Sequence, residues 1–203
     1  MRVGETTRLH ITGTALQDSY RVVTTHGFDW EIESTQADQL VVNASLPDDV
    51  PLGPVGFWVV TKSGVSDMFL AIVDDLPGAT EANDNHSVDK AQVIDAQVAL
   101  FGKSDGSKSD FYRFHADKGQ RVAIEVLTQD LRSPMDPVVR LLRADGTQIR
   151  VVDDDEVGPD CRLSQTLEAA GEYLLEIRDS RYNAGGEYYL RVGDFPLIRH
   201  SVP

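Results

Sequence analysis

Cysteine is almost absent from this chain of 203 residues. A single one, Cys161, excludes an internal disulfide and any Cys-x-x-Cys metal or redox site. A lone thiol at the start of an apolar run reads as a small structural residue, with an intermolecular disulfide as the other reading. Positive charge is scarce too: 19 Lys and Arg stand against 33 Asp and Glu, a formal net charge of −14. A phosphate-binding face has to be basic, so nucleic acid is not expected as a partner, and an anionic membrane surface is disfavoured for the same reason. No apolar run reaches the roughly eighteen residues that cross a bilayer as a helix. The N-terminus, MRVGETTRLH, lacks the apolar core of a signal peptide, which leaves either a cytosolic chain or a piece of a longer exported one.

Catalytic signatures are missing as well. G-x-S-x-G, H-E-x-x-H, a GK[ST] loop and G-x-G-x-x-G do not occur. The five histidines, His10, His26, His86, His115 and His200, are scattered: His10 and His115 sit at alternate positions in strand-like runs, and His86, beside Asp84 and Asn85, reads as a solvated loop residue with a ligand role as the other reading. No enzymatic activity is expected. Helical periodicity is nearly absent, which removes the α classes and leaves an all-β fold.

What is present is a succession of short β-rich runs. TRLHITG, YRVVTT, FDWEIES, QLVVNASL, GFWVVTKSG and DMFLAIV follow one another between Thr6 and Val73, separated by His26-Gly27, by the Pro and Gly of 51–54 and by Ser63-Gly64. Periodicity is lost at Asp74 and returns at Ala91. The organisation expected is therefore a first β-sandwich over 1–76, a linker and opening loop over 77–90, and a second β-sandwich over 91–203. In the second, Asp110 to Leu127 alternates through Tyr112, Phe114 and Ala116, turns at Ala-Asp-Lys-Gly and alternates again through Val122, Ile124 and Val126, a pattern that predicts an antiparallel hairpin. Asp145-Gly146 between two apolar runs predicts another.

These runs carry two resemblances. DFYRFHADKGQR, the EANDN segment at Glu81 to Asn85, MDPVVRLLRADG and GEYLLEIRDSRYNAGGEYYLRV together resemble the bacterial pre-peptidase C-terminal domain, a small β-sandwich of exported proteins often appended to secreted proteases. That likeness covers about the last 120 residues and implies a jelly-roll-like second sandwich. Gly4, Thr7, Ile11, Gly13 and Leu16, followed more loosely by Pro51, Gly53, Phe57, Gly64 and Ser66, resemble the immunoglobulin-like IPT/TIG type. Members of that type begin with a further strand, so the first strand is expected to be missing here or supplied by a preceding segment.

Oxygen-rich clusters are the candidate sites. Glu81, Asn83 and Asp84 set three hard oxygen donors within four residues of a loop, a set suited to calcium, which takes six to eight oxygens in flexible geometry. In the family that the second half resembles, collagenase collagen-binding domains hold calcium with this opening motif and an acid before the aromatic strand, which implies Glu81, Asn83, Asp84 and Asp110 here. Lys108 stands where that pattern has an acid, with Asp105 as the substitute from the loop. The other reading is a capped loop in which Asn83 and Asp84 bond local backbone amides. Asp153, Asp154, Asp155, Glu156 and Asp160 form a second acidic cluster, out of register for an EF-hand and read as a turn. Among the tyrosines, alternation places Tyr173 and Tyr188 in the core and leaves Tyr182 and Tyr189 as candidate ligand contacts. Trp30 and Trp58 are read as core or half-buried.

The function expected is that of a non-catalytic accessory or interaction module of a larger exported protein, secreted or at the cell surface. It would bind an extracellular polymer or position a neighbouring domain. A rigid spacer without a ligand is the alternative, and a part of a secreted peptidase comes third.

Overall fold

The computed structural model describes residues 1–154, 158, 160–183 and 185–197. Among them there is no α-helix: seventeen strands and two short 3₁₀ turns, Val88–Lys90 and Gln129–Leu131, make up the regular structure. The chain divides into two units, Met1–Asp75 and Leu76–Pro203. Each is a two-sheet sandwich with its own core, antiparallel except for two parallel edge strands of the second unit.

The first unit runs β1 (Thr6–Thr12), β2 (Ser19–Thr24), β3 (Asp29–Thr35), β4 (Gln39–Ser45), β5 (Gly53–Thr61), β6 (Gly64–Val65) and β7 (Phe69–Val73). One sheet has the order β1-β4-β3, and the other β2-β5-β6 with β7 also on β5. Leu40, Val41, Val42 and Ala44 are all buried because β4 is the central strand of its sheet. Facing residues Ile11, Val22, Leu40, Val42, Phe57 and Val59 close the core. Trp30 is half-buried, its ring 5.3 Å from that of Phe28 and 5.5 Å from that of Phe57. Ahead of β1 the described residues form no further strand, only a single parallel bridge of Arg2 with Asp74, in which Val3 donates to the Asp74 carbonyl and Asp74 to that of Met1, both at 2.9 Å.

The second unit contains β8 (Gly78–Thr80), β9 (Gln92–Val93), β10 (Val98–Ser104), β11 (Asp110–Ala116), β12 (Arg121–Leu127), β13 (Pro137–Arg143), β14 (Gln148–Val152), β15 (Cys161–Thr166), β16 (Gly171–Asp179) and β17 (Gly186–Gly193). Two five-stranded sheets, β15-β12-β17-β10-β8 and β14-β13-β16-β11-β9, face each other across Leu100, Tyr112, Phe114, Ile124, Leu141, Leu163, Leu175, Ile177, Tyr188 and Leu190. Residues 77–90, read as linker and opening loop, include β8 and are hydrogen-bonded into this unit.

Asp145-Gly146 forms the expected turn between β13 and β14, with Gly146 at φ 84° and Thr147 N donating to Asp145 Oδ1 at 2.8 Å. The hairpin expected over Asp110 to Leu127 does not form. β11 pairs with β16 and β9, β12 with β15 and β17, so the two strands lie in different sheets and the turn arches across the core. Burial explains the difference: every residue of β12 after Arg121 is buried, as in a strand flanked on both sides, and a two-stranded ribbon could not cover it. The turn itself is tied elsewhere, Gly119 N donating to the Leu167 carbonyl at 2.7 Å and Leu167 N to that of Gln120 at 2.9 Å.

Candidate functional site

Where β11 begins, the sandwich encloses a polar cluster. Alternation sends Asp110, Tyr112 and Phe114 inward from β11 and Tyr188 inward from the facing β17, so two tyrosine hydroxyls and a carboxylate meet inside an apolar core. Buried tyrosine hydroxyls need partners, and here they find each other and two acids. Tyr112 donates to Glu81 Oε1 at 2.7 Å, Tyr188 lies 2.9 Å from both Glu81 Oε1 and Asp110 Oδ2, and the two hydroxyl oxygens are 2.6 Å apart. Asp110 Oδ1 meets His86 Nδ1 at 2.9 Å. Glu81 Oε2 accepts from Lys103 N at 2.7 Å. Segment 81–86 is thereby fastened to both sheets, and the Asn85 carbonyl accepts from Phe111 N at 2.8 Å.

Two hydroxyl protons serve four short oxygen–oxygen contacts in this cluster, so with both carboxylates ionised two contacts lack a proton. The Asp110 carboxyl is shifted accordingly: burial first, and the Glu81 charge beside it, push it up to about 6 against the pull of Tyr188 and His86. Burial also raises the Tyr112 and Tyr188 hydroxyls, which stay protonated as donors. Asn85 is buried at 1% exposure, and its side-chain amide has no partner among the described residues.

Of the five residues expected around calcium, the structure brings together Glu81 and Asp110. Asn83 is exposed. Asp84 is exposed and paired with Lys90 Nζ at 2.6 Å, which holds its carboxyl below the usual range. Asp105 folds onto its own turn, Oδ1 accepting from Ser107 N at 2.8 Å and Lys108 N at 3.0 Å, which again lowers its carboxyl. Glu81 and Asp110 meet through the Tyr188 hydroxyl, while Asp84 and Asp105 are engaged by Lys90 and by the 105–108 turn. Among the described residues no group of three or more His, Cys, Asp and Glu side chains is placed to hold a metal ion.

In the second acidic cluster Asp155 and Glu156 lie outside the described residues. Asp160 is buried, and its Oδ1 caps the chain at 128–129, accepting from Thr128 N at 2.7 Å and Gln129 N at 2.9 Å. Cys161 is buried with its thiol on the Pro137 carbonyl at 3.0 Å, and burial pushes that thiol up. Tyr182 is 49% exposed, with Arg178 stacked 4.8 Å from its ring centre. Tyr189 differs from the expectation of a surface contact: it points away from the core as alternation requires, yet is only 5% exposed, with the Phe101 ring 4.7 Å away. Sequence reasoning missed His86 and the hydroxyl ends of Tyr112 and Tyr188. The available signal was an acid two residues before an inward tyrosine, since two polar groups entering one core have to meet.

No family model matches the sequence, and no curated protein matches it. Solved structures similar to the chain include the pre-peptidase C-terminal domain of a Bacillus anthracis collagenase, at 18% identity over 50% of this chain and 93% of that one, with a TM-score of 0.40. Aeromonas hydrophila PliG, a periplasmic inhibitor of g-type lysozyme, is similar at 14% identity over 50% of this chain and 96% of its own, with a TM-score of 0.37. A Bacteroides ovatus mixed-linkage glucan utilization protein, SGBP-B, in complex with a mixed-linkage heptasaccharide, is similar at 11% identity over 95% of this chain and 70% of that one, with a TM-score of 0.29.

Proposed function

We propose that the protein is a non-catalytic accessory module of a larger exported protein, docking an extracellular polymer or positioning a neighbouring domain. The observation that carries this reading is where the perturbed titratable groups sit. Asp110, Tyr112, Tyr188 and Cys161, the groups that burial raises most, are at 2% exposure or less within the second unit. A catalytic acid, base or nucleophile has to come within hydrogen-bond reach of its substrate. Asp110, Tyr112 and Tyr188 instead hydrogen-bond one another and hold segment 81–86, and the Cys161 thiol is turned to the Pro137 carbonyl. The likeness of DFYRFHADKGQR to a module of exported proteins supports the same reading. A rigid spacer without a ligand is the second reading, favoured by the firmness with which the Glu81, Asp110 and His86 contacts fasten the opening of the second unit.

Retention of the purified chain on insoluble cellulose, chitin, starch and collagen fibrils separates the two. Retention on at least one matrix is expected, displaced by its soluble form. Passage through all of them would leave the spacer reading in place of the binding one.

A further inference from the structure

A cavity of about 280 Å³ opens in the second unit beside β14 and β15, the edge strands on one side of the two sheets. That volume lies just under the roughly 300 Å³ at which small-molecule sites begin, room for one ring rather than several. The apolar part of its lining is Ile149, Leu167 and Tyr173, and the Tyr173 hydroxyl is already given to the Ala169 carbonyl at 2.6 Å.

Its polar lining is divided by chemistry. Gln148 Oε1 accepts from Arg140 Nε at 3.0 Å, which fixes the amide and leaves its NH2 as a donor, and the same lining includes Arg143. Gln165 Nε2 donates to the Thr166 carbonyl at 2.9 Å, which leaves its Oε1 as an acceptor beside the carboxylate of Glu168. Donors thus come from β13 and β14, and acceptors from β15 and the residues after it. Arg143 and Glu168 lie 3.4 Å apart and cancel in charge, so an anion or a cation would gain from one and lose to the other. A neutral hydroxyl group, donor and acceptor at once, suits both sides.

We propose that this cavity is a subsite for one neutral sugar residue of an extracellular polysaccharide, an inference that rests on the binding-module reading above. The ring's hydroxyls would bridge Gln148 and Arg143 to Gln165 and Glu168, and its C–H face would lie on the half-buried Ile149.

The test titrates the whole chain with neutral malto-, cello-, xylo- and manno-oligosaccharides, an oligogalacturonate and a collagen-like peptide, following the side-chain NH2 resonances of Gln148 and Gln165. A neutral oligosaccharide is expected to shift both pairs of signals, and Gln148→Ala and Gln165→Ala each to weaken its binding by about tenfold with the midpoint of thermal unfolding unchanged. Binding of a neutral oligosaccharide that leaves both amides unmoved would overturn the subsite and spare the binding module. Shifts caused by the oligogalacturonate or the peptide alone would overturn the neutral-sugar assignment. Silence from every probe would remove the subsite, and with retention on no insoluble matrix the binding reading falls too.

Discussion

Replacing Tyr188 by Phe removes one oxygen atom and is expected to destabilise the second unit by about 1–3 kcal/mol, because Glu81 and Asp110 lose a shared donor inside the protein. Tyr112→Phe takes a single carboxylate contact away and should cost less; urea unfolding of both variants checks the order. The pH dependence of Asp110 has a definite sign. Its folded value, about 6, lies above the unfolded value near 4, so the stability it contributes is full below about 4 and is lost as pH rises through 6. Two pH units correspond to about 3 kcal/mol. With chelator present, the unfolding midpoint of the native protein should fall between pH 4 and 7 relative to that of Asp110→Asn, which has no carboxyl to ionise. Parallel curves for the two proteins would contradict burial as the cause.

At the level of elements, β10 carries Gly102 opposite Tyr188 of β17, and the Tyr188 ring lies across the place where a side chain would stand. A Cβ at Gly102 would run into the Tyr188 ring, whose hydroxyl is fixed at its far end. Gly102→Ala should therefore cost about 1–3 kcal/mol or more from overpacking, measured by thermal unfolding against Gly78→Ala, whose Cβ would meet open space. Segment 81–86 offers a second check. With Asp84 on Lys90 and Asp105 capping its own turn, calcium is expected to leave the unfolding midpoint where chelator leaves it. A rise of several degrees would mean that the segment rearranges to gather the acids. The arch between β11 and β12 shows where a period of two stops being informative. Alternation places Tyr112 and Val122 on the core side, but it is equally satisfied by pairing within one sheet or by facing across two. Only the burial of the second face of β12, which depends on strands far along the chain, decides between them.

For the whole molecule, the all-β class and the sandwich architecture were legible in the recurrence of short runs and in the loss of periodicity near Asp74. Gly119 and Gly146 occupy the turns that their positive φ suits. The site was legible in part: Asp110 and Glu81 could be singled out as acids, and the two-residue spacing of Asp110 and Tyr112 sends two polar groups into one core, whereas His86 and Tyr188 come from a loop and a distant strand whose meeting with them no local pattern encodes. Because the large apolar cluster of the second unit runs, among the described residues, from Ile94 to Val192, residues 76–203 expressed separately are expected to fold. A dispersed amide spectrum and a cooperative melt would show it, and a collapsed spectrum would mean that the division at Asp75 does not mark an independent unit. The strand order carries one further consequence. β8 runs parallel to β10 and β17 antiparallel to it, and register sets Gly78 and Arg191 on either side of Ala99. The chain thus comes in and goes out at the same end of one sheet, two strand spacings or about 10 Å apart. Tension pulling these two points apart would unzip the three-residue β8 from β10 one rung at a time, a low-force peel that ends where the Glu81 contacts take up the load.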